Sequence, residues 1–268
     1  MQKDKMKILA IGDPHGRIPN IKLILKKEKP DIIICTGDFA GDEKIRNLIF
    51  KNWGMPWYEK IGKKKAKEMA RKSAEKGKSV LKYLNSLKIP VYVVPGNYDD
   101  EKALAKMLRK KKNMRFCHLK KFKIGDYYFI FHGGYMDAKI FFSTKVLGQS
   151  LARNNERKRD NDIEKKKLIK IFGKTNNRTI FVTHMPAYGI FDKVKNKKSP
   201  MDKRHVGIEA YEYVIKKYKP LLYICGHMHE NQGFKKSRKT TAVCLGEAKK
   251  SAYLIDINGK VKISKISL

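Results

Sequence analysis

The chain is 268 residues long, with 41% hydrophobic and 10% aromatic residues, enough for a buried core in one large domain or two small ones. Its 62 Lys+Arg against 26 Asp+Glu leave a formal charge of +36, too one-sided for the balanced ion-pair networks of heat adaptation and suited to a polyanionic partner, nucleic acid above all. No run of about 18 apolar residues supports a membrane span, the first residues lack a signal-peptide layout and no CxxC pair suggests a zinc ribbon or redox site, so a cytoplasmic protein is expected, with Cys35, Cys117, Cys225 and Cys244 as core thiols.

Met6 to Gly12 and Asp31 to Thr36 are short Ile-rich runs. Between them, Asn20 to Lys29 carries Ile21, Leu23, Ile24 and Leu25, so strand, helix, strand is expected. An insertion follows with Trp53 and Trp57, read as packing residues. In Lys60 to Leu87 apolar residues recur at helical spacing among many Lys, which predicts one long amphipathic helix with a solvated basic face. Pro90 to Pro95 reads as a third strand and Glu101 to Lys112 as a helix ending in a basic run.

Phe122 to Ile124 and Tyr127 to His132 flank Gly125-Asp126, a two-residue turn of the kind that favours tight reversal. Lys139 to Asn177 is polar and basic, either a mobile excursion or a surface helix. Thr179 to Thr183 and Leu221 to Cys225 read as strands around a helix near Ile208 to Tyr218, with a basic loop from Gly189 to Val206. Thr240 to Leu245, Ala252 to Ile257 and Val261 to Ile266 alternate apolar residues as an antiparallel meander would, turning at Asn258-Gly259. With no repeat or flexible linker, the expectation is a single α/β domain over 1–268 with basic insertions near 42–88 and 139–177. Its two mixed β-sheets would pack as a sandwich flanked by helices.

Five short motifs carry potential metal ligands, nearly all placed where an apolar run gives way to a loop: Asp13 and His15 in GDPHG, Asp38 in TGDFAGD, Asn97 in PGNYDD, His184 in FVTHMP, and His227 with His229 in CGHMH. Side chains two residues apart on an extended strand point to the same side, so Asp13 and His15 can share one ion. A carboxylate at Asp38 could bridge two cations, and the neutral amide of Asn97 suits a site already rich in carboxylates while also reaching a phosphate oxygen. Two imidazoles spaced as in His227-Met228-His229 after a buried strand rarely arise from packing needs alone. Each of the other motifs taken singly would be ordinary turn chemistry or a satisfied histidine. Their joint occurrence, in order and at strand ends, is what argues for metal ions acting on a phosphoester.

The set resembles the calcineurin-like metallophosphoesterases, whose motifs are Asp-x-His, Gly-Asp, Gly-Asn-His-Glu/Asp, a lone His and Gly-His-x-His. The resemblance runs from Asp13 to His229. It implies a metallophosphoesterase-like four-layer fold, with the meander completing the second sheet. It further implies that Asp13, His15, Asp38 and His229 hold one metal, and that Asp38, Asn97, His184 and His227 hold the other, with Asp38 bridging. Manganese is the first expectation, and iron, zinc or nickel accept the same mixed ligands.

Two divalent ions roughly 3.5–4 Å apart lower the pKa of a shared water and clamp phosphoryl oxygens, so a bridging hydroxide can attack phosphorus without a protein nucleophile. No activated Ser or Cys motif and no phosphate loop competes with that reading. Where many relatives place a His after the metal-binding Asn, this chain has Tyr98, which leaves the proton donor to Tyr98, His132 or metal-bound water and tilts the expected substrate toward phosphodiesters, nucleotides or nucleic acid. Asp99 is read as a partner orienting a metal-binding His. His132, ending a hairpin strand, is a candidate for substrate contact, and Arg17 for the nonbridging phosphate oxygens. His118 and His205 lack a motif and read as structural or exposed. A phosphomonoesterase acting on phosphoprotein or a small metabolite, and a non-catalytic scaffold, are the alternatives.

Overall fold

Every residue of Ile8 to Ile11 is apolar because both faces of this strand are covered, the usual state of a strand in a parallel sheet. In β1 (Met6–Ile11), Ile8 and Ala10 pack toward a second sheet while Leu9 and Ile11 pack toward helices. The computed structural model describes residues 5–41, 43–52, 57–134, 150–175, 177–197, 199 and 201–268, the side chains of 57 and 150–160 left aside. The packing expected of Trp53 and Trp57 lies outside them.

The first sheet also contains β2 (Ile32–Cys35), β3 (Val91–Val93), β4 (Met114–Phe116), β11 (Ser251–Ile257) and β12 (Val261–Ser267), in the order β12-β11-β1-β2-β3-β4. β1 to β4 run parallel, and β11 and β12 are added antiparallel on the β1 side. The second sheet has the order β5-β6-β7-β8-β10-β9, from β5 (Lys120–Ile124), β6 (Tyr127–His132), β7 (Thr179–Thr183), β8 (Leu222–Cys225), β9 (Gly233–Ser237) and β10 (Thr240–Cys244). Here β6, β7, β8 and β10 run parallel, with β5 and β9 as antiparallel edges. The inner faces meet in a core that includes Ile34, Phe129, Phe131, Val182, Ile224, Val243 and Ile255.

Helices close the two outer faces. On the first sheet lie α1 (Lys22–Lys27), α4 (Lys63–Ser86) and α5 (Glu101–Leu108), which contribute Ile24, Val80, Leu81, Leu84, Leu104 and Leu108. On the second lie α6 (Ser150–Phe172) and α7 (Glu209–Tyr218), through Leu168, Phe172, Tyr211 and Val214. Helix, sheet, sheet and helix form four layers, as the resemblance implied. All four cysteines are buried and free.

Several local expectations change. The single helix foreseen over Lys60 to Leu87 is broken at Gly62, whose φ of 82° only glycine adopts readily, so α3 (Trp57–Ile61) precedes α4. A further helix, α2 (Glu43–Lys51), occupies part of the expected insertion. Of the two readings of the polar stretch before β7, the helix is realised in α6, and residues 135–149 lie outside those described. The terminal meander is a correction: β10 pairs parallel with β8 and antiparallel with β9 in the second sheet, whereas β11 and β12 form a hairpin in the first. Alternation specifies which face of a strand is buried, not which strand it pairs with. The chain passes between the sheets just after β10, where the Asp13 N–H donates to the Gly246 carbonyl at 2.9 Å.

Candidate metal centre

Parallel strands β1, β2 and β3 of one sheet and β7 and β8 of the other present their C-terminal ends to a common edge, and every expected ligand lies just beyond such an end. The turns there are tight. His15, Asp38 and His227 have φ of 48°, 53° and 62°, a left-handed conformation that His and Asp tolerate better than most residues and that clusters at functional sites. Two motif glycines permit the close approach of these loops: a Cβ at Gly96 would lie 2.1 Å from Asp38 Oδ1, and one at Gly226 would lie 2.5 Å from Asp13 Oδ1.

The donors converge in two groups. Asp13, His15 and His229 have ligand atoms within 4.8 Å of one another, and so do Asp38, His184 and His227. In the first group His229 Nε2 lies 3.0 Å from Asp13 Oδ2 and 3.3 Å from His15 Nε2. In the second, His184 Nε2 and His227 Nδ1 lie 2.8 and 2.9 Å from the same atom, Asn97 Oδ1. Asp38 Oδ2 stands between the groups, 3.9 Å from His15 Nε2 and 3.5 Å from His184 Nε2.

Carbonyl oxygens only accept hydrogen bonds, so the contacts of His15 Nδ1 with Ala40 O at 3.1 Å and of His184 Nδ1 with Thr36 O at 2.7 Å place a proton on each Nδ1. For His15 that leaves the Nε2 lone pair aimed into the centre, the tautomer a metal ligand needs. At His184 burial alone would lower the pKa, but Asp38 and Asp13 raise it; its Nε2 also directs a proton at the Asn97 amide oxygen and gives that proton up to take a cation. Lone-pair donors gathered at such distances repel unless a proton or cation lies among them. Mixed carboxylate, amide and imidazole donors of this kind fit a pair of divalent first-row cations.

Burial lowers the His15 and His227 pKa values to about 3, which keeps both imidazoles neutral. At Asp13, burial alone would raise the pKa, but the hydrogen bond with His229 and the neighbouring imidazoles bring it down to about 2. At Asp38 burial prevails and raises the pKa to about 7. One acid is thus held ionised while the other waits for positive charge.

Asp99 holds the backbone that carries Asp38. Its carboxylate accepts the N–H groups of Phe39 at 2.9 Å, Ala40 at 3.1 Å and Gly96 at 2.9 Å, so it orders the loop rather than orienting an imidazole as expected. The Tyr98 N–H donates to Asp38 Oδ1 at 2.8 Å, and the Tyr98 ring stands edge-on to His15 with centroids 5.5 Å apart. Burial, then the Asp38 charge, pushes the Tyr98 hydroxyl pKa upward, so it remains protonated.

His132 and Arg17 do not join the ligand groups. His132 contacts the Tyr211 hydroxyl through Nδ1 at 2.6 Å and Glu164 through Nε2 at 2.7 Å, so both nitrogens are engaged with α6 and α7. Arg17 pairs with Glu43, and the two side chains are each about half exposed. The His118 ring lies tilted beside His132 and contacts the Gly133 carbonyl, while exposed His205 pairs with Asp192.

Two residues beside the centre carried no signal that was read. Arg46 Nη1 lies 2.6 Å from Glu247 Oε1 and 3.5 Å from His229 Nδ1, and Glu247 lies 3.4 Å from the same His229 atom. These contacts span up to 201 positions of sequence. Gly246-Glu247 after β10 repeats the glycine-acid pattern of Gly37-Asp38 and was the available clue; Arg46, one Arg within an amphipathic helix, offered none.

A four-layer sandwich whose sheets deliver two His/Asp groups to one edge is the architecture of the metallophosphoesterases. The chain belongs to the calcineurin-like phosphoesterase family, whose model matches residues 6–231, and metal-dependent phosphoester hydrolysis follows from that membership. No curated protein matches it in sequence. A solved structure 19% identical superposes with a TM-score of 0.68 over 98% of this chain and 100% of the other. TT1561 of Thermus thermophilus, 15% identical, gives 0.54 over 98% and 99%, and a putative 5'-nucleotidase from Staphylococcus aureus, 14% identical, gives 0.50 over 98% of this chain and 53% of that one. Among the described residues no helix is long and apolar enough to cross a membrane.

Proposed function

We propose that this chain is a phosphodiesterase acting on nucleotides or nucleic acid with two divalent cations, manganese first among them. The observation that carries the reading is Tyr98 standing beside a complete ligand set, where many relatives have a histidine. The guanidinium groups near this edge support it. Arg17 is paired with Glu43 and Arg46 with Glu247, each through one nitrogen, so a carboxylate offsets each guanidinium charge that the doubly charged phosphoryl group of a monoester would call on. The formal charge of +36 favours a polyanionic substrate.

Asp13, His15, Asp38 and His229 would hold one cation; Asp38, Asn97, His184 and His227 would hold the other. When bound, such a pair supplies an acidified water and Lewis-acid contact to phosphoryl oxygens. Asn97 also offers amide N–H donors to a phosphate oxygen. Tyr98, kept protonated, is the candidate donor to the leaving oxygen, and Asp99 keeps the Asp38 loop in place. Arg17 can reach a substrate only by exchanging Glu43, and His132 supports the neighbouring helices rather than the reacting atoms.

Turnover of a bis-aryl phosphate and of the matching mono-aryl phosphate, each with Mn²⁺, tests the reading. Preference for the diester is expected. A large monoester preference would make the chain a phosphomonoesterase, and no turnover of either together with retained function in Asp38→Asn would leave a scaffold.

A further inference from the structure

A groove of about 550 Å³ lies along the turn that follows His229, with Glu230 and Asn231 in its wall. Its opposite wall is the loop through Phe191, Lys193 and Lys195, and its rim is the edge strand β9 with Phe234 and Lys235. Two ties make it a built feature. Asn231, 7% exposed, donates from Nδ2 to the carbonyls of Phe191 at 2.9 Å and Lys193 at 2.8 Å, which joins the loop to the turn carrying His229. Phe191 itself is held at φ 59°, a conformation costly for an aromatic residue and tolerated where surrounding contacts impose it.

The chemistry of the walls is mixed in a particular way. Phe234 is 52% exposed on an edge strand, and Lys235 Nζ sits 4.8 Å over the Phe191 ring. Lys193 and Lys195 are exposed. Asp192 is buried against His205 and the Gly207 N–H, and the exposed Glu230, which accepts the Lys195 backbone N–H at 3.4 Å, keeps its charge in the wall, so Lys193, Lys195 and Lys235 outweigh one exposed carboxylate. An inorganic polyphosphate would satisfy the lysines but leave the Phe234 face wet. A single-stranded nucleic acid satisfies both, since bases stack on aromatic faces and phosphates follow ammonium groups.

We infer that the groove beside His229 is a subsite for single-stranded nucleic acid, with Phe234 as a stacking platform and Lys193, Lys195 and Lys235 tracking the backbone. The inference rests on the phosphodiesterase reading and names its substrate class. A strand seated there runs from the metal centre along the edge of the second sheet.

Fluorescence anisotropy with a labelled oligothymidylate, in EDTA so that no hydrolysis occurs, tests the subsite independently of turnover. Phe234→Ala is expected to weaken binding about tenfold and Phe234→Trp to retain it. Lys193→Glu/Lys195→Glu should cost tenfold or more and flatten the salt dependence, whereas the same reversal on α4, Lys64→Glu/Lys67→Glu, should cost roughly threefold or less. Full binding by Phe234→Ala, equal losses for both lysine pairs, or tighter binding of polyphosphate than of the oligonucleotide would each overturn the subsite. The bis-aryl assay on the unaltered protein separately decides the phosphodiesterase reading.

Discussion

His15 and His229, from motifs 214 positions apart, point their Nε2 atoms at each other across 3.3 Å. At that separation a proton or a cation must lie between them, and a cation replaces the proton when metal binds. Cation binding is therefore expected to stabilise the fold. Saturation with Mn²⁺ at about 100 times Kd should add about 2.7 kcal/mol per ion, about 5.4 kcal/mol for the two, and hence raise Tm by roughly 10–20 °C over the EDTA-treated protein. His229→Ala should reduce bound metal from two ions to one by elemental analysis. A melting temperature indifferent to both EDTA and Mn²⁺ would refute the centre.

Asp99 accepts three backbone N–H groups, from Phe39 and Ala40 just after Asp38 and from Gly96 in the loop that carries Asn97. Replacing it by Ala leaves buried donors unpaired and frees the loop. We expect roughly 3 kcal/mol of destabilisation in urea unfolding and a 10–100-fold loss of metal affinity. Unchanged metal affinity would reduce Asp99 to a purely structural residue.

Tyr98 is the candidate proton donor to the leaving oxygen. Tyr98→Phe should slow turnover of diesters with alkyl leaving groups by about 10²-fold while sparing nitrophenyl esters, which depart without a proton. Equal losses for both would rule out proton donation to the leaving oxygen as the role of the Tyr98 hydroxyl.

Glu164 links α6 to the second sheet through His132 and pairs with Lys167 on its own helix. Burial would raise its pKa, but these two partners bring it down from 4.5 to about 2. A carboxylate depressed by folding contributes stability that is fully present above about 4.5 and is lost as pH falls toward 2. Glu164→Gln should therefore cost roughly 3 kcal/mol near neutrality and little at pH 2, by denaturant unfolding across that range. A constant difference at all pH values would rule out the charge as the cause.

Much of the layering was legible because β1, β2, β7 and β8 are covered on both faces and so read as unbroken apolar runs. Short or polar elements were not: β4 has three residues and β9 is a basic edge strand, while α2, whose Ile45, Leu48 and Ile49 stand at helical spacing, was passed over within the insertion. Partner choice was also hidden, as the division of β10 from β11 and β12 between two sheets shows.

The ligand chemistry is legible in residue type and order alone, because carboxylate, amide and imidazole residues at strand ends have few other reasons to recur in that order. Only the tertiary structure decided how those donors group, that Asp38 stands between the groups, that Asp99 serves its loop, and that Arg46 and Glu247 flank His229. Local pattern records which face of a strand or helix is buried, while contacts across up to 201 positions depend on how the two sheets pack and where their loops approach.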